Sequence, residues 1–168
     1  MYPLAHMGIP ALIVTRFRRD VDLRLFLFAL MLPDIIDKPL GHLVLTSLNN
    51  GRIISHTLLF LALLLLASVK SERMRWVAFG VAIHHGMDLM FLDPTTYLWP
   101  LFGPFPRTEF VPSDWVISVL SNRWYLLGEV LGGTSLLYLA HELGYLKSEH
   151  LLKRLKGAIK GGEREVVY

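Results

Sequence analysis

Long apolar runs separated by short charged stretches set the first reading of this chain. The clearest are Ile53–Val69 (IISHTLLFLALLLLASV), Trp76–Leu92 (WVAFGVAIHHGMDLMFL) and Trp124–Leu146 (WYLLGEVLGGTSLLYLAHELGYL). Leu23–Leu32 is shorter and strongly apolar, and Pro33 is expected to end it because proline cannot continue the hydrogen-bond ladder. Leu4–Phe17 is a marginal fifth run. A helix needs roughly 20 mostly apolar residues to cross a bilayer. The pattern therefore predicts an all-α, polytopic membrane helix bundle of about four to five transmembrane helices, over residues 1–146. The segment 93–123 contains five prolines together with Trp99 and Trp115. It reads as a long outward-facing loop or lid. Residues 147–168 read as a basic cytoplasmic tail.

Composition agrees with that picture and narrows the chemistry. Hydrophobic residues make up 53% and charged residues 18% of the 168 positions, with a mean hydropathy of +0.45. A soluble domain usually has about 25% charged residues. There is no cysteine, which excludes disulfides and thiolate metal sites, so any metal must be held by imidazole nitrogen and carboxylate oxygen. The basic balance need not imply nucleic acid, because Lys and Arg gather in the cytoplasmic loops of membrane proteins; no nucleic-acid partner is expected. With five spans and the N-terminus outside, 13 of the 17 Lys and Arg residues fall on the inner side. That predicts an integral protein of the cell membrane. The absence of Gln and Cys, with few Asn, fits a thermophilic source. The first residues lack a basic stretch ahead of their apolar run, unlike a cleavable signal peptide.

Ionisable groups at membrane depth are costly and usually functional. The expected topology brings His6, Asp34, Asp37, His56, His84, Asp88 and Glu129 to one depth near the outer side. His84 and Asp88 are four residues apart and share a helix face. Asp34 and Asp37 can both point inward if the helix continues past Pro33. His85 stands about 100° round the helix from His84, so only one of the two can face the site squarely. Imidazole with carboxylate suits Zn²⁺, Mn²⁺ or Fe²⁺. Such an ion lowers the pKa of bound water and polarises a phosphoryl or carbonyl oxygen. The expected ligands are His6, Asp34, Asp37, His56, His84 and Asp88, holding one or two ions with zinc first. Arg52 would neutralise an anionic substrate group, and Asp37 or Glu129 would act as base. His42, His141 and His150 read as packing residues, Asp20 and Asp22 as helix caps, and Gly132–Gly133 as a close helix contact. Asp37–Lys38 is readable as an ordinary ion pair.

The order of these motifs resembles the YdjM-like family of membrane-bound metal-dependent hydrolases. The matching pieces are Ala5-His6, LPDIIDKP at 32–39, GRIISHTLLF at 51–60, HHGMD at 84–88 and DPTTYLWP at 93–100. Two departures stand out. The acidic motif has one extra residue between Asp34 and Asp37, and Gly51 stands where the family carries a first His. The motif logic is similar to that of zinc-dependent phospholipase C. The resemblance implies hydrolysis of a phosphoester on a lipid or membrane-associated substrate. Rival readings are an ion- or proton-binding transport protein, a haem protein with His56 and His84 as axial ligands, and a non-catalytic member.

Overall fold

A computed structural model describes residues 2–18 and 20–145. These residues are all-helical, with no strand among them. The helices are α1 (Pro3–Phe17), α2 (Leu23–Pro39), α3 (Leu58–Ser68), α4 (Glu72–Met87), α5 (Pro94–Tyr97), α6 (Pro112–Ser121) and α7 (Arg123–Glu142). A π-turn at Leu40–Val44 and 3₁₀ turns at Ile54–His56 and Met90–Leu92 complete the set.

Local side chains set most of the helix starts. Asp22 accepts the amide of Leu25 at 3.1 Å and opens α2. Thr57 does the same for α3 through Phe60 at 3.1 Å, and Asn122 for α7 through Trp124 at 3.0 Å. Each satisfies an amide that the first turn leaves without an intrahelical partner. Asp20 does not cap. It pairs with Arg18 at 2.8 Å. Pro33 does not end α2 either, and the helix runs on to Pro39. Two carbonyls near the proline are taken by neighbours: Leu30 by His84 Nδ1 at 2.7 Å and Pro33 by the Ser55 hydroxyl at 2.8 Å.

The membrane-spanning reading is corrected by the helix lengths. No helix among the described residues is long and apolar enough to cross a membrane. The run Ile53–Val69 is the instructive case. It yields a 3₁₀ turn, an extended Thr57 and an α3 of only 11 residues, about 16 Å long. Asp37 collects the amides of Ile53, Ser55 and His56, which holds the start of the run out of the helix. Trp76–Leu92 is cut at Met87, after which Leu89 adopts a left-handed φ of 53°. Helix α7 has 20 residues, but Arg123, Glu129 and Glu142 interrupt its apolar surface. The membrane location, the inside–outside assignment and the transmembrane count fall together. The tail at 147–168 and His150 lie outside the described residues. The segment 93–123 is partly helical, through α5 and α6, and Trp99 stacks on Phe105 at 4.9 Å between centroids.

Two helix pairs carry the fold. Helix α2 lies along α4, where Gly80 faces Ala29 so closely that a Cβ would sit 2.6 Å from the Ala29 Cβ. Helix α1 lies along α7, where Gly132 presses on the α1 backbone. A Cβ there would come 2.1 Å from the Leu4 carbonyl oxygen. A small core of Val14, Phe26 and Leu30 joins α1 to α2.

Candidate metal centre

The polar residues named from sequence meet between α1, α2, the 54–56 turn and α4. His6, Asp34, Asp37, His56, His84 and Asp88 are all buried. Their hydrogen bonds fix the imidazole tautomers, because a ring nitrogen facing an acceptor must carry the proton. His56 Nδ1 lies 2.7 Å from Asp37 Oδ2. His84 Nδ1 lies 2.7 Å from the Leu30 carbonyl oxygen, and His6 Nδ1 2.9 Å from that of Tyr2. All three Nδ1 atoms are therefore donors, and in the neutral rings the three Nε2 atoms present lone pairs.

Those lone pairs converge. His56 Nε2 and His84 Nε2 are 3.2 Å apart. Asp34 Oδ1 lies 3.6 Å from His56 Nε2. Asp88 Oδ2 lies 3.8 Å from His56 Nε2 and 3.9 Å from His84 Nε2. Asp34, His56 and His84 offer ligand atoms all within 4.8 Å of one another, a grouping that could hold a metal ion. His6 Nε2 lies 3.1 Å from the other Asp88 oxygen and has no hydrogen-bond partner. Two acceptors facing each other repel unless a cation or proton lies between them.

Electrostatics keep His84 and Asp88 in metal-competent form. Burial pushes the His84 imidazole down to about 3, and the neighbouring His56 pushes the same way. Burial also takes His85 down to about 4. For Asp88, burial favours the neutral acid, but the His6 imidazole beside it and the charge of Arg52 outweigh it and hold the carboxyl below its usual range. Neutral imidazole and charged carboxylate are the states that bind metal.

Three candidates from the sequence take different places. Asp37 does not reach the centre with a free oxygen. Its carboxylate is spent on His56 Nδ1 and on the amides of Ile53, Ser55 and His56. It orients the His56 ring, and burial is overcome by these bonds so that its carboxyl stays below the usual range. Glu129 accepts the Ala5 amide at 3.0 Å and so satisfies the first turn of α1. The Asp37 oxygens are thus taken up by donors of the chain itself. Arg52 stands beside the cluster, with Nη2 3.0 Å from Asp88 Oδ2.

Sequence reasoning missed some participants. Lys38 pairs with Asp34 at 2.8 Å rather than with Asp37. The spacing of four residues on a helix was the available signal. His85 turns away from the cluster towards the Ser55 carbonyl at 2.9 Å. His42 lines a cavity of about 470 Å³ together with Asp34, Lys38, Arg52 and Asp88. Nothing in the spacing from His84 or His56 marks it. The extended segment 106–110 closes one wall of that cavity. The Asn50 amide donates to the Pro106 carbonyl at 2.8 Å, the Thr108 amide to the Leu48 carbonyl at 2.9 Å, and the Thr108 hydroxyl to the Asn49 carbonyl.

The chain matches no family model, no curated protein and no solved structure.

Proposed function

We propose that this protein is a metal-dependent hydrolase acting on a phosphoester, as the resemblance to the YdjM-like family implies. The observation that carries the reading is the pair of imidazole lone pairs 3.2 Å apart between two carboxylates. Donor type fits the ion: two neutral imidazoles with carboxylate oxygen suit zinc, with manganese or iron as alternatives. His56, His84 and Asp34 form the ligand set, with Asp88 beside it. Asp88 also reaches His6, so the pair His6–Asp88 offers a place for a second ion. A bound divalent ion would supply an activated water and polarise a phosphoryl oxygen.

The remaining roles belong to the chain's own side chains. Asp37 fixes the tautomer of His56, and the Leu30 carbonyl fixes that of His84. Burial of the cluster keeps bulk water from the ligand atoms. Arg52 lines the adjoining cavity and is positioned to receive an anionic group. Pro3 and Phe110 line the same cavity and give it an apolar side for the organic part of an ester. The haem alternative is disfavoured by the same distance, because two nitrogens 3.2 Å apart with carboxylates around them leave no slot for a planar macrocycle.

Elemental analysis of the purified protein beside a His56→Ala, His84→Ala double variant tests the reading. Near-stoichiometric zinc, manganese or iron in the parent, absent from a folded variant, is the expected result. Phosphoester hydrolysis by the loaded parent should then disappear on chelation. No metal in the parent after reloading would refute the proposal and leave His56 and His84 as a buried pair sharing a proton.

A further inference from the structure

Asp34, Lys38 and His42 are spaced four residues apart, and all three line the 470 Å³ cavity. In a regular α-helix the residue eight positions on stands about 80° round from the first. The π-turn at Leu40–Val44 takes up that phase and brings His42 onto the cavity side. π-turns of this kind are frequent at functional sites.

The His42 ring is held in one tautomer. The Asn49 side-chain amide donates to the Phe110 carbonyl at 3.0 Å, so its oxygen is left to accept from His42 Nδ1 at 2.9 Å. The ring stacks on Phe110 at 4.5 Å between centroids. Its Nε2 lies beside Gly51, where a Cβ would approach it to 2.9 Å. The polar groups of Asn50 and Thr108 are already engaged in building the wall. Lys38, Arg52 and His42 are therefore the nitrogen-bearing side chains that the cavity can turn towards a ligand.

The charges around the cavity cancel pairwise. Lys38 neutralises Asp34 at 2.8 Å and Arg52 neutralises Asp88 at 3.0 Å. No other carboxylate lines the cavity among the described residues. Asp34 and Asp88 are also the acids at the proposed metal centre. A divalent ion bound there would leave two positive charges uncompensated on the wall. The Lys38 and Arg52 side chains are 46% and 40% exposed, so both have room to turn from carboxylate to ligand.

We infer that the cavity is a pocket for the dianionic phosphate of a phosphomonoester, and that it binds this group only when the adjoining metal centre is filled. The inference rests on the metal reading above and names its substrate class. A monoester phosphate carries two negative charges and three terminal oxygens, matching the excess charge and the three side chains. A diester carries one charge and two terminal oxygens. Lys38 and Arg52 pair with the two acids and become phosphate ligands when a divalent ion takes those acids. Because coupling between two sites is reciprocal, the phosphate must also tighten the metal.

Calorimetry on the full chain tests this with inorganic phosphate, phenyl phosphate and dimethyl phosphate, each against protein loaded with zinc and against the same protein after chelation. Phenyl phosphate should bind the loaded form at least about tenfold more tightly than the metal-free form, within the usual span of site-to-site coupling. Inorganic phosphate should show the same dependence, and dimethyl phosphate should bind weakly to both. Lys38→Met, and Arg52→Ala as a second variant, should weaken phenyl phosphate by about tenfold, the scale of one lost charge-assisted contact, with Lys38→Met leaving zinc content unchanged. Equal affinity with and without zinc would overturn the coupling. Equal affinity for phenyl and dimethyl phosphate would overturn the monoester assignment. Inorganic phosphate binding far more tightly than phenyl phosphate would make the free ion the ligand and overturn the ester. A parent that takes up no zinc removes the metal reading and this inference together, whereas zinc uptake with indifferent phosphate binding removes this inference alone.

Discussion

The α2–α4 pair and the α1–α7 pair both touch through small residues, yet they are held in place by different physics. Between α2, α4 and the 54–56 turn, side chains reach across to opposing backbone. His84 binds the Leu30 carbonyl, Ser55 binds the Pro33 carbonyl, and Asp37 gathers three amides and an imidazole. Each bond is directional and buried, so only one arrangement satisfies all of them. Between α1 and α7 the backbones meet, with Gly8 and Gly132 back to back. Ion pairing is confined to the exposed end, where Arg16 meets Glu142 at 3.0 Å. One pair is specified by hydrogen-bond chemistry and the other by steric closeness. His6 is the side chain by which the second pair reaches the cluster of the first. The contrast predicts that damage to the first pair removes metal and stability together, whereas damage to the second removes stability alone.

The sharpest way to break the contrast is at Asp37. Replacing Asp37 by Ala leaves the buried His56 Nδ1 and three buried amides without their acceptor. Each buried donor left without its acceptor costs about 1–3 kcal/mol, so the four together cost several kcal/mol. Urea unfolding of Asp37→Ala should show a loss of that size, and elemental analysis should show lower metal content, since His56 would no longer be held in its tautomer. A variant that loses stability but keeps its metal would place the ligand set elsewhere.

Acid should act next, and again on the first pair. The folded-state values of about 3 for His84 and about 4 for His85 lie below the ordinary histidine value of 6.5. Below 6.5 the unfolded chain binds protons that the folded chain refuses. Stability of the metal-free protein is therefore fully present above about 6.5 and falls as the pH drops through that value towards 4 and then 3. Asp37 and Asp88, both held below their usual range, add loss in the same direction at the lower end. The total is on the order of a few kcal/mol. Unfolding midpoints across pH 8 to 4 should decline steadily. A flat profile would mean that His84 and His85 are hydrated in solution and the cluster is open.

The second pair should respond to bulk. A Cβ at Gly132 meets the Leu4 carbonyl and the Ala5 amide nitrogen at 2.1 and 2.4 Å, both rigid backbone. Gly132→Ala must separate α1 from α7, at about 1–3 kcal/mol for such overpacking. Metal content per folded molecule should be unchanged, because no ligand sits on α7. Selective loss of metal would instead show that the α1 position of His6 governs the centre.

The legible parts of this molecule were those in which spacing alone decides geometry. His84 and Asp88 share a face because they are four apart on one helix, and all-α architecture follows from the apolar runs. Asp34 and Asp37 lie on one helix because α2 continues through Pro33, which the proline rule alone argued against. The span lengths were not legible, because a hydropathy run does not reveal side chains that pull its first residues out of helix. Asp37 does this to Ile53–His56 from 16 to 19 positions upstream. His42 does pack as expected, against Asn49 and Phe110, but its position on the cavity was not legible for a related reason. Its place on the cavity depends on a π-turn and on a stack with Phe110, 68 residues away in the sequence, and neither leaves a periodic trace. The bonds of Asp37 and Glu129 could not be singled out because a carboxylate that serves backbone amides looks, in sequence, like one that serves an ion.

The smallest expected effect separates those two carboxylates. Glu129 accepts a single amide, that of Ala5, in the first turn of α1. A glutamine there keeps an acceptor oxygen of the same reach and loses only the charge, which also favours the positive end of the α1 dipole. Glu129→Gln should therefore cost at most about 1 kcal/mol, in the range of a weakened helix cap, and should leave metal content and phosphoester hydrolysis at the parent's level. Glu129→Ala should cost somewhat more, because the amide then depends on water at a partly buried site. The informative measurement is the ratio of hydrolysis to metal content in Glu129→Gln. If that ratio fell while stability held, Glu129 would be acting on the substrate or its water. The division between a chemical pair of helices and an architectural one would then fail at the point where α7 meets His6.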